Sequence, residues 1–351
     1  MGLAALTDLA GTYFGQPGGL YPGGNTAPGG HLTAGVQIAQ TIGPLDSAGD
    51  ASPAGRYAFI SIGMSNTTQE FSAFLPIATA DPARDPRLVL VDGAQGGQTA
   101  ADWANPGCDC WTTLDNRIRQ AGLTNRQVVA AWVKLANRQP SGEWPTAALA
   151  LKDDWVVVMR ALASRFPNLR LAYLSSRIYA GYATSTLNPE PYAYQSGFSV
   201  RWVIEDQLNG RLPYDGAGRV SPWLAWGPYL WADGLTPRSD GLTWACAEFA
   251  DDGTHPGPAG RQKVADRLLS FLKGDPTARE GQLHGQRARE GCGPGFEPAG
   301  GRERHDPAAP ALDPPLQPEA RGEAADELLV AGLRQEHEVG LERAQGRRHR
   351  L

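Results

Sequence analysis

Short apolar segments that alternate with helical patterns limit the possible folds of this chain more than any other feature. Four segments have the composition of buried strands: 56–62 (RYAFISI), 88–91 (LVLV), 128–133 (VVAAWV) and 169–174 (LRLAYL). Each is almost continuously apolar, which is typical of parallel strands covered on both faces. Helical patterns span about 146–166 and about 257–272. The alternation predicts the α/β class, as a three-layer α/β/α sandwich with a mainly parallel sheet.

The distribution of aromatic residues divides the chain near residue 275. All ten Trp, all ten Tyr and eight of nine Phe precede that position, so Phe296 is the only aromatic residue in the last 76. Those residues are dense in Gly, Pro, Ala, Arg and Glu, a composition too polar to offset the entropy of ordering. We therefore predict a folded domain over 55–275, with an elaboration over 1–54 packed on it. Residues 276–351 are predicted to be a tail that is disordered or read out of frame.

Composition also excludes several classes of protein. No apolar run approaches the roughly 20 residues of a membrane helix, and a net charge of −5 offers no basic surface to nucleic acid. The start, MGLAALTDLAG, shows no signal peptide, although an upstream export signal would leave the compartment open. Cys108 and Cys110 form a CxC pair without zinc spacing, so we expect surface thiols or one disulfide. Neither a metal nor another cofactor is expected, and the oligomeric state is left open.

The first predicted strand leads directly into Gly63-Met64-Ser65-Asn66. A serine at this point lies at the edge of the sheet where ligands bind, beside backbone N–H groups at the start of a helix. The same N–H groups can hold an oxyanion, so Ser65 is a candidate nucleophile. The alternative is that Ser65 or Asn66 only caps the helix.

A second motif, Asp252-Gly253-Thr254-His255-Pro256, precedes the last predicted helix. A hydroxyl nucleophile needs an imidazole base, and the imidazole needs a carboxylate to fix its tautomer. Asp252 and His255 can supply both groups from one turn. His31 is the only other histidine before residue 276, and we expect it to cap or pack against a helix over 31–41.

Together these motifs resemble the SGNH (GDSL-like) hydrolase superfamily of serine esterases over about residues 55–273. The resemblance implies a flavodoxin-like fold, a catalytic triad of Ser65, Asp252 and His255, and no cofactor. It also implies an oxyanion hole formed by the backbone N–H groups of Ser65 and Gly97 and the side chain of Asn137. More specifically, the segments GGLYPGG, SIGMSNTTQEF, VDGAQGG, YLSSRIYAGYA and DGTHP resemble a bacterial subgroup whose substrate is unassigned.

The family has a series of motif blocks, and the resemblance places Ser65 in the first, Gly97 in the second and Asn137 in the third. The third block departs from the family pattern. The usual Gly-x-Asn-Asp is replaced by Lys134-Leu135-Ala136-Asn137-Arg138. Asn137 matches by its distance from the strand, and the alternative is an ordinary turn residue before Pro140. Lys134 is a further possible donor or an exposed strand end.

The segment 177–231 is rich in Tyr, Trp and Phe and is expected to carry substrate contacts, although most of its rings should belong to the core. Arg177 and Tyr179 are the candidate substrate-binding residues. The sequence thus predicts two-step hydrolysis of a carboxylic ester, with an acetylated carbohydrate as the preferred substrate. The expected partner is a small-molecule or carbohydrate ester. Because the third block is degraded, a non-catalytic carbohydrate-binding protein is the alternative.

Overall fold

A central five-stranded sheet organises the part of the chain that the computed structural model describes, residues 2–280. The strands are β1 (Thr12–Tyr13), β2 (Gln16–Pro17), β3 (Tyr57–Gly63), β4 (Leu88–Val91), β5 (Val128–Lys134), β6 (Leu171–Leu174) and β7 (Trp223–Trp226). The helices are α1 (Gly29–Gln40), α2 (Ser65–Ala80), α3 (Ala100–Ala104), α4 (Asp109–Gln120), α5 (Thr146–Arg165), α6 (Tyr192–Leu208), α7 (Pro258–Gly274) and α8 (Pro276–Glu280). Two 3₁₀ turns cover Asn125–Gln127 and Cys246–Glu248.

The strand order in this sheet is β4-β3-β5-β6-β7, and every neighbouring pair is parallel. Counted along the chain within this sheet, the order is that of flavodoxin-like folds. The predicted α/β class with a mainly parallel sheet is therefore confirmed. The order reverses between β3 and β5, and ligands in such folds bind outside the carboxyl ends of the strands at this reversal.

Helices cover both faces of the sheet. The β3-to-β4 connection runs in one direction across the sheet and the later connections run in the other, so right-handed crossovers place their helices on opposite faces. The contacts agree, because α2 packs with α7, while α5 packs with α3 and α6. This layering explains why β3 and β5 are buried along their whole length. Apolar side chains line both surfaces of these two strands, as expected for a covered parallel strand.

Residues before β3 are bonded to distant parts of this domain. The His31 Nε2 atom lies 2.8 Å from the backbone oxygen of Leu224, and its ring stacks on Trp223. The Arg201 Nη1 atom donates to the carbonyl oxygens of Pro17 and Gly18. These bonds tie α1 and the β1–β2 hairpin to β7 and α6.

The predicted tail over 276–351 lies outside the described residues from position 281 onward. Residues 276–280 form α8, and the Thr277 hydroxyl lies 2.9 Å from the Tyr173 hydroxyl in the interior.

Strand β7 is the one element of the central sheet that the sequence reasoning did not predict. Its sequence, WLAW, lies inside the aromatic segment expected to carry substrate contacts. The structure instead pairs Trp223 with Leu171 and Trp226 with Leu174, and buries both indole rings. These two aromatic residues therefore belong to the core.

Candidate active site

The turn between β3 and α2 places Ser65 at the carboxyl edge of the sheet. Helix α2 begins at Ser65, and the preceding residue, Met64, has an extended backbone conformation. Gly63 is required here, because a Cβ atom at this position would lie 2.5 Å from the carbonyl oxygen of Lys134. The first N–H groups of a helix have no acceptor within the helix, so those at Ser65 and the following residues face the sheet edge with partial positive charge.

The structure brings Ser65, His255 and Asp252 together in one hydrogen-bonded chain. The Ser65 Oγ atom lies 2.8 Å from His255 Nε2, and His255 Nδ1 lies 2.5 Å from Asp252 Oδ2. A carboxylate only accepts hydrogen bonds, so Nδ1 carries the proton of a neutral ring and Nε2 accepts from the serine hydroxyl. This arrangement is that of a hydroxyl poised beside a base.

The turn that carries Asp252 and His255 is built by the Asp252 side chain itself. Its Oδ1 atom accepts hydrogen bonds from the backbone N–H groups of Thr254 and His255, both at 2.9 Å. Gly253 has φ +62°, and a Cβ atom there would lie 1.8 Å from the Tyr182 carbonyl oxygen. The spacing of the Asp-Gly-x-His motif thus follows from a turn that only glycine can complete at its second position.

Hydrogen bonds join this turn to the helix that carries Ser65 and to the loop between β6 and α6. The Asn66 Nδ2 atom donates to the Thr254 carbonyl oxygen at 3.0 Å, and the Thr184 N–H donates to the Asp252 carbonyl oxygen at 3.0 Å. Asn66 is therefore not a helix cap, and α2 shows no side-chain cap bond. Its amide holds the base-bearing turn beside Ser65.

Hydrogen bonding sets the charge state of Asp252. Partial burial opposes ionisation, but the bonds from His255 and Thr254 prevail and hold the pKa of Asp252 below its ordinary value. The side chains of His255 and Asp252 are 23% and 39% exposed. The pair is thus accessible to small molecules.

The loop after β4 brings Gly96 beside Ser65. The Gln95 N–H donates to the Gly63 carbonyl oxygen at 3.0 Å, which fixes the loop against the end of β3. A Cβ atom at Gly96 would lie 3.9 Å from the Ser65 Cβ atom. Gly97, the glycine selected from the sequence, has φ +81° and accepts a 2.6 Å hydrogen bond from Arg138. Gly96, which the sequence reasoning did not select, therefore lies beside Ser65, and the tandem Gly96-Gly97 was a signal for it.

Three hydrogen bonds join this loop to the segment after β5 that carries Asn137. The Ala100 N–H donates to the Ala136 carbonyl oxygen at 3.0 Å, and the Ala101 N–H donates to Asn137 Oδ1 at 3.1 Å. Arg138 supplies the third bond, to the Gly97 carbonyl oxygen. The second and third motif blocks are therefore adjacent, and Asn137 is half-buried beside them.

Lys134 is neither an exposed strand end nor a free donor. Its Nζ atom lies 2.5 Å and 2.6 Å from the two carboxylate oxygens of Glu70, and both side chains are fully buried. Burial lowers the pKa of Lys134 to about 8 and raises that of Glu70. The pair clamps α2 to the carboxyl end of β5, next to the 2.8 Å bond from the Thr67 hydroxyl to the Lys134 carbonyl oxygen.

Arg177 and Tyr179, the candidate substrate-binding residues, both lie in the interior. Burial lowers the pKa of Arg177, while the charges of Glu70, Glu190 and Asp252 oppose that shift. The guanidinium of Arg177 is therefore within electrostatic reach of these three carboxylates. Contact of either residue with substrate stays a prediction.

Cys108 and Cys110 are joined as a disulfide, and Cys246 is exposed and free. Over residues 2–280, the structure contains no cluster of three or more metal-ligating side chains. Over the same stretch, no helix combines the length and apolar character needed to cross a bilayer.

No family model matches the chain, and a search of curated proteins also returns no match. Solved structures do match. A catalytic variant of an acetylxylan esterase from Geobacillus stearothermophilus is 13% identical with a TM-score of 0.37, covering 66% of this chain and 97% of that one. The periplasmic domain of a lipopolysaccharide acetyltransferase from Salmonella ser. Paratyphi A is 14% identical with a TM-score of 0.35, covering 69% and 93%.

A third solved structure, a provisional acylhydrolase from Bacteroides fragilis NCTC 9343, is 12% identical with a TM-score of 0.37 and covers 74% of this chain and all of that one. Similarities at this level assign neither an activity nor a substrate to this chain. The strand order of the sheet is that of the flavodoxin-like fold that the sequence predicts.

Proposed function

We propose that the protein is a serine esterase that hydrolyses a carboxylic ester through an acyl-enzyme intermediate. The observation that carries this proposal is the chain from Ser65 Oγ through the His255 ring to Asp252, with distances of 2.8 Å and 2.5 Å. A hydroxyl, an imidazole and a carboxylate in this order form a nucleophile, its base and the group that orients the base.

In the first half-reaction, Ser65 Oγ forms a bond to the ester carbonyl carbon while His255 Nε2 takes the hydroxyl proton. The carbonyl electron pair moves to oxygen, and the resulting oxyanion accepts hydrogen bonds from backbone N–H groups of Ser65 and of the Gly96-Gly97 turn, and from Asn137. Collapse of this intermediate breaks the bond to the alcohol oxygen. His255 returns its proton to that oxygen, and the alcohol leaves.

In the second half-reaction, His255 takes a proton from water as the water oxygen attacks the acyl-enzyme. Collapse of the second oxyanion breaks the bond to Ser65, which recovers a proton from His255, and the carboxylic acid leaves. Asp252 stays ionised throughout and stabilises the imidazolium that forms in each step. The lowered pKa of Asp252 supports this role.

Acetylated carbohydrate is the proposed substrate class. Phe14 is 74% exposed at the turn of the β1–β2 hairpin, although its φ of +46° is unfavourable for a side chain of this size. Its ring stacks on Trp144, in the loop that follows Asn137 and Arg138, with ring centroids 6.4 Å apart. Exposed aromatic faces of this kind suit the apolar faces of sugar rings.

Labelling with a fluorophosphonate tests the proposed nucleophile. The wild-type protein should form a covalent adduct, detected by mass spectrometry as a modified peptide containing Ser65, and Ser65→Ala should form none. Ser72→Ala is the matched control, because Ser72 lies exposed on the same helix, and it should label at the wild-type rate.

Failure of the wild type to label would support the non-catalytic carbohydrate-binding alternative, whereas equal labelling of Ser65→Ala would show that Ser65 is not the nucleophile. A second assay compares 4-nitrophenyl acetate with an acetylated xylo-oligosaccharide. Hydrolysis of the simple ester alone would remove the carbohydrate proposal and leave the esterase chemistry intact.

A further inference from the structure

The Asn137 amide is held at both of its polar atoms. Its Oδ1 atom accepts the 3.1 Å hydrogen bond from the Ala101 N–H, and its Nδ2 atom donates to Asp154 Oδ2 at 2.7 Å. A primary amide is planar and has two N–H groups. Anchoring the oxygen and one N–H fixes the plane, and therefore also fixes the direction of the second N–H.

The two partners also decide which way the amide is turned. A backbone N–H can only donate and an ionised carboxylate can only accept, so the amide oxygen must face Ala101 and the amide nitrogen must face Asp154. A rotation by 180° about the last side-chain bond would set donor against donor and acceptor against acceptor. Asp154 therefore selects the one orientation of Asn137 that keeps an N–H available.

Asp154 makes no other side-chain hydrogen bond or ion pair within residues 2–280. It comes from the third turn of α5, while Asn137 lies in the preceding loop, so the bond spans 17 residues. Burial raises the pKa of the Asp154 carboxyl, and the bond from Asn137 opposes that shift. A half-buried carboxylate that receives a single amide donor is well placed to orient that donor.

The residue next to Asn137 in the chain cannot replace Asp154 as the acceptor for the Asn137 amide. The position that follows Asn137 is Arg138, whose guanidinium reaches away to the Gly97 carbonyl oxygen. The local chain therefore supplies no carboxylate next to Asn137, and Asp154 brings one from another element.

We propose that Asp154 is a positioning residue that orients the Asn137 amide so that its second N–H points at the oxyanion. This role rests on the proposed esterase function. Asp154 touches neither the substrate nor the reacting atoms, and it acts only through Asn137.

A double-mutant cycle tests the proposal, using kcat and KM for 4-nitrophenyl acetate. Loss of one oxyanion donor in Asn137→Ala should lower kcat by roughly 10²-fold to 10³-fold. Asp154→Ala should lower kcat by about ten-fold with KM unchanged, because a misdirected donor is lost only in the transition state. In the Asn137→Ala background, Asp154→Ala should have less than about a two-fold effect, since its target is already absent.

Two further variants separate orientation from charge and from folding. Asp154→Asn keeps an acceptor oxygen at the same distance and should retain most of the wild-type kcat. Asp153→Ala removes the same charge from the adjacent position, where the side chain is 77% exposed, and should leave kcat unchanged. Thermal unfolding checks that each variant is folded, and Asp154→Ser replaces Asp154→Ala in the cycle if the alanine variant is not.

The outcomes distinguish this inference from the proposed function. Equal losses of kcat from the Asp154 substitution in both backgrounds, or an equal loss in Asp153→Ala, would overturn the positioning role while leaving the esterase intact. A wild-type protein that neither labels at Ser65 nor hydrolyses esters would overturn the proposed function and, with it, the role of Asp154.

Discussion

Two acid–base pairs lie at the same edge of the sheet and differ mainly in their access to water. The Lys134 Nζ and Glu70 Oε1 atoms are 2.5 Å apart, as are the His255 Nδ1 and Asp252 Oδ2 atoms. The Lys134 and Glu70 side chains are 1% and 0% exposed, whereas those of His255 and Asp252 are 23% and 39% exposed. The two pairs are therefore distinguished by their exposure to water and not by their contact distance.

Exposure determines what each pair can do. A fully buried pair cannot exchange protons with a substrate, and breaking it leaves an uncompensated charge in a medium of low polarity. A half-exposed pair contributes little to stability but can pass a proton to a bound molecule and recover it from water. We therefore expect the Lys134–Glu70 pair to support the fold and the His255–Asp252 pair to support the reaction.

The largest expected effect is on catalysis by the half-exposed pair. His255→Ala should lower kcat by roughly 10⁴-fold to 10⁶-fold, and Asp252→Asn by about 10⁴-fold, because the base is lost or carries its proton on the wrong nitrogen. The free energy of unfolding should change by less than about 1 kcal/mol in either variant. Steady-state kinetics measures kcat, and denaturant unfolding measures the free energy of unfolding. A large loss of stability with retained kcat would show that the His255–Asp252 pair supports the fold rather than the reaction.

The next effect is on the stability conferred by the buried pair. Glu70→Gln should lower the free energy of unfolding by about 3–5 kcal/mol, because Lys134 loses its carboxylate and must either stay charged in the interior or give up its proton. Replacing both residues, in Glu70→Leu/Lys134→Met, should recover much of that loss. Urea unfolding measures these changes. The exposed control Asp153→Asn should change stability by less than about 1 kcal/mol, and a Glu70→Gln value that small would contradict the assignment.

The smallest expected effect is the pH dependence of stability. The pKa of Asp252 is lower in the folded protein than its ordinary value, so its stabilising effect is present above the unfolded-state pKa and is lost as the pH falls through the folded-state pKa. The stability difference between wild type and Asp252→Asn should therefore shrink between about pH 5 and pH 2. Asp251→Asn changes the adjacent exposed carboxyl and serves as the control. A difference that grows toward acid would show that the sign is wrong.

Sequence reasoning located the parts of the site that are encoded in short segments. Ser65 follows its strand directly, and Asp252 and His255 share one turn, so both were visible as local motifs. The burial of Lys134 was not visible, because it depends on Glu70 from a helix 64 residues earlier. The contact between Asn137 and Asp154 was hidden for the same reason, since it depends on how α5 packs.

The fold was predictable to a similar extent. Continuous apolar runs revealed β3, β4, β5 and β6, because a strand covered on both faces leaves that pattern in the sequence. Strand β7 has four residues, two of them Trp, and was counted among the aromatic residues of a substrate region. Its Trp side chains suit a binding surface as well as a core, and only the pairing with β6 distinguishes the two.

Three hydrogen bonds, from the loop after β4 and from the first two residues of α3, hold the segment after β5 in place. Ala136, Asn137 and Arg138 each take part in one of them. Beyond Arg138 the loop turns outward, and residues 141–143 are exposed. Changes in that exposed loop would leave these three hydrogen bonds intact, so the loop can vary in length and sequence while the Asn137 amide keeps its position.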